Sequence, residues 1–382
     1  MNIIHLISYF QPKIGYQETF LCREQITIGH EVSVVTSERF YPFPSYTKTS
    51  SKILGNRIQS YGFFIEEGIP TIRLPIFFEI GTQVMLRDLS KIVEKIDPEI
   101  IHLHSLFSFN FFSFLFKKIN TPLIIDVHHQ PFREFHEKSL FQFRLKKAYF
   151  QFIKPFFRKY LNKNKIHITA ATEEAKMWLV NDFKLPKEQV HHIPLGADID
   201  RFNFSLIDRI NTRKELGFHK MDVIFVYAGK IIPQKGLESV IFSSQLLPRT
   251  LDYRLLFIGN GEPSYVYSLK KLAKKLGIYQ RLIFLEAVPN NQLSRFFSAS
   301  DVGIWLGSPS NSIQEAMANN LPVLLSKKAL TNKIDKAGGI LIVEDDNFSA
   351  IASIMEDFCY DDEKRLMFGR LNRSFTETHF NW

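Results

Sequence analysis

The side chains of this chain best suited to chemistry are one acid, two lysines and a few histidines. Glu315 stands in "GSPSNSIQEAMANNLPVL" (307–324), at the start of a small-residue helix that runs into Pro322 and an apolar strand. The Ser and Asn residues ahead of it can cap that helix. An acid in the first turn gains about 0.3–1 kcal/mol from the helix dipole. It could also accept hydrogen bonds from two vicinal hydroxyls, as on a ribose. No second acid precedes it within that stretch. In "YAGKIIPQKGLESV" (227–240), Lys230 and Lys235 flank a strand-to-helix loop with Gly236 at its end. Two cations beside a helix N-terminus suit phosphate oxygens, although solvated loop lysines would read the same way.

Other candidates are weaker. "FIGNGEP" (257–263) places Gly259 and Gly261 after a strand, but Ser264 fills the third position of a dinucleotide fingerprint, so alone it reads as a turn. His102 and His104 have strand spacing and share one face, yet the sequence offers no third or fourth ligand at sensible spacing, which favours a structural role. Asp198 and Asp200 form an Asp-x-Asp pair of the kind that binds metal elsewhere. Neither a Ser-His-Asp order nor His-Glu-x-x-His nor Cys-x-x-Cys occurs.

The elements that must position these residues are legible as alternating short apolar runs and helical stretches. "IIHLISYF", "HEVSVVTS", "EIIHLHS", "PLIIDVHH" and "IHITAAT" read as strands of one parallel sheet. After a polar stretch at 205–211 the pattern restarts with "MDVIFVYAGK", followed by "YRLLFIGNGE", "RLIFLEAVP", "DVGIWLG", "LPVLLS" and "GGILIV". The 382 residues suffice for two domains, and doubly wound sheets bind ligands at the carboxyl ends of their strands. The candidate residues fall at such ends.

Composition bounds the partners. Apolar residues at 45% and charged residues at 23% are globular values. Two separated cysteines and a start without a basic leader predict a reducing, cytoplasmic setting. The run "SLFSFNFFSFLF" is too short to span a bilayer. The net charge of +9 is concentrated in 132–165, where Lys and Arg alternate with Phe. This stretch predicts contact with an anionic membrane surface, while an AT-rich genome would enrich the same residues without any partner. No recognition motif accompanies the charge, so no nucleic acid is expected.

Taken together, Lys230 with Lys235, "GNGE" and "QEAMANNLPVLLS" resemble the second domain of the retaining, nucleotide-sugar-dependent glycosyltransferases of family 4 (glycosyl transferases group 1). "HLISYFQPKIGYQETF", "GHEVSVVTS", "DPEIIHLHS", "PLIIDVHH" and "HHIPLGADIDRF" follow the family's order in the first half, so the likeness spans nearly the whole chain. The resemblance implies an α/β chain of GT-B fold, with two facing Rossmann-like doubly wound domains and a cleft between them. The expected division is an acceptor-side domain at 1–205, a donor-binding domain at 206–362 and a tail at 363–382 returning toward the first domain.

By the same resemblance Glu315 is the second acid of the family's paired-glutamate motif and binds the donor ribose. The first acid is replaced by Gly307, and Ser308, Ser310 or Asn311 are candidates to substitute for it. Lys230 stands where the family usually has arginine, which keeps the charge but loses the bidentate fork. Lys230 and Lys235 would stabilise the departing diphosphate. His128 and the Gly15 loop would lie beside the transferred sugar, Gly259 on the donor side, and the backbone from Glu286 to Val288 beside the base. Neither metal nor cofactor is implied, because "ADID" matches the family's interdomain loop. The function implied is transfer of a sugar from a nucleoside diphosphate to a glycan or lipid-linked acceptor, in bacterial or archaeal surface polysaccharide or glycolipid synthesis. The protein would be cytoplasmic, with peripheral contact at the inner face of the membrane. Two alternatives stay open: a catalytically silent nucleotide-sugar-binding protein, and a nucleotide-sugar epimerase of the same fold.

Overall fold

The computed structural model describes every residue except 44, 107, 116–120, 129–150, 152–153, 156–157, 159, 162–165, 332–333 and 345. The chain forms two compact units. The first comprises 1–12, 16–42 and 56–195, and the second comprises 13–15, 43–55 and 196–382.

The first unit is built on an eight-stranded sheet. Its strands are β1 (Asn2–Ile7), β2 (Glu31–Ser37), β3 (Gly62–Glu66), β4 (Ile69–Leu74), β7 (Ile100–His104), β8 (Leu123–Val127), β9 (Ile166–Ala170) and β10 (Val190–His192), while β5 (Ile76–Ile80) and β6 (Gln83–Leu86) make a separate hairpin. The order is β10-β9-β8-β7-β1-β2-β4-β3, parallel throughout except for β3, which pairs antiparallel to β4 at the edge. Parallel strands covered on both faces must be apolar nearly throughout, and β1, β7 and β8 are buried along almost their whole length. The exceptions in chemistry are His5, His102, His104 and Asp126, which are polar yet buried on those strands. β3 alternates between exposed and half-buried residues, as an edge strand with one free face should.

The second unit carries a six-stranded, wholly parallel sheet. Its strands are β11 (Val223–Ala228), β12 (Tyr253–Ile258), β13 (Leu282–Leu285), β14 (Val302–Trp305), β15 (Val323–Ser326) and β16 (Ile340–Val343), in the order β13-β12-β11-β14-β15-β16. The chain leaves β11 toward β12 on one side and toward β14 on the other, so the order reverses at β11, where ligands gather in such sheets. Phe225, Tyr227, Phe257 and Trp305 fill the core.

Residues 363–382 also pack within this unit. The helix Asp362–His379 lies against the helix Ser312–Ala318, and Asn372 donates to the carbonyls of Leu321 and Gly339, both at 2.9 Å. The backbone then closes on the start of the unit, with Ala197 N donating to Phe380 O at 2.7 Å. Among the described residues no helix is long and apolar enough to cross a membrane.

Candidate functional site

Glu315 lies in the first turn of the helix Ser312–Ala318 and is only 6% exposed. The expected capping by Ser and Asn is not formed. Asn311 stands at the N-cap with helical backbone angles and no side-chain cap bond. The hydroxyls are engaged elsewhere: Ser310 Oγ pairs with Ser312 Oγ at 2.8 Å, and Ser312 Oγ donates to Ala228 O at 2.5 Å. The helix is therefore tied to the carboxyl end of β11.

Among the described residues the Glu315 side chain has one direct hydrogen-bond partner, which sequence reasoning missed. Asn290 Nδ2 donates to Glu315 Oε1 at 2.8 Å, and Arg201 Nη1 donates to Asn290 Oδ1 at 3.2 Å. Burial pushes the Glu315 carboxyl up to about 7, against the lowering effects of the Asn290 hydrogen bond and the Arg201 charge. A half-ionised buried carboxylate with few donors is a strong acceptor for hydroxyl groups. Asn290 opens the helix Asn290–Ala299 directly after Pro289.

Gly15 joins the same cluster. Its φ is +75°, and a Cβ there would lie 2.3 Å from Asn290 Cγ, so this position requires glycine both for its backbone and for its neighbour. The loop tip 13–15 accordingly clusters with the second unit.

The lysines divide into one held and one exposed. Lys235 closes the short turn Pro233–Lys235 and is 9% exposed. Its Nζ donates to Ser308 O at 3.1 Å and to Pro309 O. Lys230 is exposed at its side chain, while its carbonyl accepts from Tyr227 Oη at 2.7 Å. The same packing explains the missing upstream acid. A Cβ on Gly307 would meet Gln234 O at 2.3 Å and the Lys235 carbonyl carbon at 2.4 Å, and Ser308 N donates to Gln234 O at 2.7 Å. The segment 307–309 lies directly on the turn 233–235, leaving no room for a side chain at 307. Carbonyl dipoles of Ser308 and Pro309 hold the Lys235 ammonium in this chain.

Gly259 serves the neighbouring loop, since a Cβ there would lie 1.8 Å from Gly229 O. This contact lets Ile231 N donate to Asn260 O at 2.9 Å, while Asn260 Oδ1 accepts from Ala287 N at 3.1 Å. The loops after β11, β12 and β13 are thereby locked together. Glu286 is exposed and accepts from Lys52 Nζ at 2.6 Å, and Val288 is half-buried against the core.

In the first unit, His128 directly follows β8 and is half-buried, near enough to His104 to disfavour a charge there. Asp198 Oδ1 accepts from Arg201 N at 2.9 Å, as a turn residue does. The basic stretch 132–165 lies almost entirely outside the described residues.

Two family models match this chain in succession. "Glycosyltransferase Family 4" covers residues 19–201, and "Glycosyl transferases group 1" covers 208–375. The chain belongs to glycosyltransferase family 4. Among curated relatives it is 24% identical over 203 residues to a GDP-mannose-dependent monoacylated α-(1-6)-phosphatidylinositol monomannoside mannosyltransferase of Corynebacterium glutamicum, covering 50% of this chain and 52% of that protein. It is 26% identical over 212 residues to a D-inositol 3-phosphate glycosyltransferase of Xylanimonas cellulosilytica, covering 52% and 49%. The family 4 chain thus spans about half the length of the curated relatives it matches.

Solved structures extend the likeness in fold over the whole chain. A sucrose-phosphate synthase from Thermosynechococcus elongatus superposes with a TM-score of 0.73 at 16% identity, covering 100% of this chain and 96% of that one. WaaG, a glycosyltransferase involved in lipopolysaccharide biosynthesis, gives 0.70 at 15%, covering 98% and 95%. Anabaena Alr3699/HepE in complex with UDP gives 0.71 at 15%, covering 100% and 96%. The α/β GT-B fold with two mostly parallel sheets is that of this chain.

Proposed function

We propose that this family 4 protein transfers a hexosyl group from a nucleoside diphosphate sugar to a glycan or lipid-linked acceptor, with retention at the anomeric carbon. The observation that carries the reading is the buried pair of features at the strand ends of the second unit. Glu315 is an acid held on Asn290 with its pKa raised to about 7, and Lys235 is an ammonium fixed over the 307–309 segment. An acceptor for two vicinal hydroxyls and a fixed cation match the ribose and the diphosphate of such a donor.

In the reaction the bond between the anomeric carbon and the diphosphate oxygen breaks. The acceptor hydroxyl oxygen forms the new bond on the same face, and its proton passes to the departing diphosphate. Lys235 and the exposed Lys230 stabilise charge growing on that leaving group, the kind of preorganised contact whose loss costs about 10² to 10³ in rate. Glu315 orients the ribose and the 286–288 backbone faces the base. The family motif is the support for placing His128 beside the transferred sugar. One named relative is a GDP-mannose-dependent phosphatidylinositol monomannoside mannosyltransferase, and a structural neighbour was solved in complex with UDP, which supports a nucleotide sugar and a lipid-borne acceptor without choosing the base.

The test is nucleoside diphosphate release from UDP-, GDP- and ADP-sugars, with and without a lipid extract as acceptor source. Turnover of one donor supports transfer. Tight nucleotide binding without turnover under every condition favours a silent binding protein, the reading for which Gly307 speaks.

A further inference from the structure

Outside the donor site, the first unit buries an imidazole cluster that the proposed transfer does not use. His5 on β1 pairs in register with His102 on β7, and His104, two residues further along β7, pairs in register with Asp126 on β8. His102 and His104 therefore share one face of the sheet with their neighbour His5. All four side chains are buried, at 0%, 5%, 9% and 3% exposure for His5, His102, His104 and Asp126. One ligand atom from each of the three histidines lies within 4.8 Å of the others.

The outer partners fix where the lone pairs are. His5 Nε2 lies 2.7 Å from Gln25 Oε1, and His102 Nε2 lies 2.8 Å from Asp126 Oδ1, so both nitrogens carry protons toward oxygen acceptors. His104 Nδ1 lies 2.9 Å from Asp126 Oδ2 without hydrogen-bond geometry, so that contact does not fix the His104 tautomer. In neutral rings the opposite nitrogens of His5 and His102 are the ones with a lone pair. His5 Nδ1 faces His104 Nε2 at 2.9 Å. Either a proton on His104 Nε2 or a metal cation can bridge that pair.

The ring spacing suits a metal. Ring centroids are 4.9, 5.2 and 4.4 Å apart for His5–His102, His5–His104 and His102–His104. Three imidazoles around one tetrahedral ion with bonds of about 2.0–2.1 Å would place their centroids about 5 Å apart and their ligating nitrogens about 3.3 Å apart. The facing pair would open by about 0.4 Å to reach that separation, and a ligand pair at the cluster's outer limit of 4.8 Å would close by about 1.5 Å. A carboxylate and a carbonyl behind the ligands are the outer shell that zinc histidines usually have.

We propose that His5, His102 and His104 form a binding site for one divalent zinc-like ion, with Asp126 and Gln25 as its outer shell. The ion would tie β1 to β7 beneath the helix Gln17–Thr27, so its role is to stabilise the first unit. The sequence hid this site because its third ligand lies about a hundred residues from the other two and joins them only through the β1–β7 register.

The test uses the full chain stripped with a chelator, reloaded with Zn²⁺ and separated from free metal by gel filtration. The expected result is one tightly held ion per chain, a raised unfolding midpoint, and a four-coordinate visible spectrum when Co²⁺ replaces Zn²⁺. His104→Asn should lose the tight site, and Gln25→Leu should weaken it about 10- to 100-fold. His191→Asn should leave it unchanged, because the exposed His167–His191 pair, 3.1 Å apart, is the competing surface site. Wild-type protein that retains no ion after loading, or that gives a six-coordinate Co²⁺ spectrum, overturns the proposal and leaves a shared proton as the bridging cation. Loss of the ion in His191→Asn overturns it equally. Both outcomes are read from wild-type or surface variants, so they stand whether or not His104→Asn folds.

Discussion

Replacing Glu315 by glutamine should make the protein more stable and a poorer nucleotide binder, and the stability gain should depend on pH. The carboxyl is buried and its pKa rises from 4.5 to about 7, chiefly through desolvation. It therefore binds its proton more tightly folded than unfolded. Between about pH 4.5 and pH 7 the folded state holds more protons, so stability falls as pH rises through that window and levels off above it. The rise corresponds to about 3 kcal/mol at 1.36 kcal/mol per tenfold change in proton affinity. Glutamine keeps an oxygen for the Asn290 Nδ2 donor and has no charge to desolvate. At about pH 8 Glu315→Gln should recover most of that 3 kcal/mol, about 6–12 °C in unfolding midpoint for a unit of roughly 200 residues. At about pH 5 the folded carboxyl is protonated while the unfolded one is still mostly ionised, so the difference should shrink to under about 1 kcal/mol, vanishing only below about pH 4. The assay is thermal unfolding of both proteins across this range, with nucleoside diphosphate affinity measured by calorimetry on the same samples. Affinity should fall about 10- to 100-fold, the cost of a charged hydrogen bond to a ribose hydroxyl. A Glu315→Gln protein less stable than wild type at pH 8, or a difference that ignores pH, would refute the reasoning.

Four further substitutions separate the parts of the site. Lys235→Ala should lower turnover by about 10² to 10³ while Lys230→Ala, at an exposed position, costs less, as read from steady-state nucleoside diphosphate release. Gly307→Glu, which restores the acid of the family's pair, should not restore anything. Its Cβ would meet backbone of Gln234 and Lys235, so the unfolding midpoint should drop by an amount equivalent to about 1–3 kcal/mol and nucleotide affinity should fall with it. Asn290→Ala removes the hydrogen bond to a buried carboxylate and should destabilise by about 1–3 kcal/mol at about pH 8, less at about pH 5 where Glu315 is neutral, as denaturant unfolding at the two pH values would report.

The strand positions of the second unit were legible because buried parallel strands are written as short apolar runs, and β11 to β16 all fall on the runs the pattern marks, whereas their order in the sheet was not. Glu315 and Lys235 stand out in the sequence as charged residues at helix and loop ends, where a dipole-stabilised acid or a solvated lysine reads the same way, and the structure adds that both are buried. What the sequence hid depends on contacts between distant residues. Asn290 belongs to Glu315 only because two helices bring them together across 25 positions. Gly307 looks like a lost acid until the turn 233–235 is seen to occupy its side-chain space. The capping expected from Ser310 and Asn311 fails for a similar reason, since Ser312 is drawn to Ala228 O and Ser310 to Ser312. His5 cannot be joined to His102 and His104 without the β1–β7 register.

We propose that a nucleotide sugar is held by Lys235 and Glu315 and turned over. The most direct measurement is release of nucleoside diphosphate from a panel of UDP-, GDP- and ADP-sugars by wild type, Lys235→Ala and Glu315→Ala, each checked for folding. Wild type should consume one donor class, and each variant should lose at least about a hundredfold in turnover. Turnover that survives both substitutions unchanged would contradict it, because the donor would then be held by other residues.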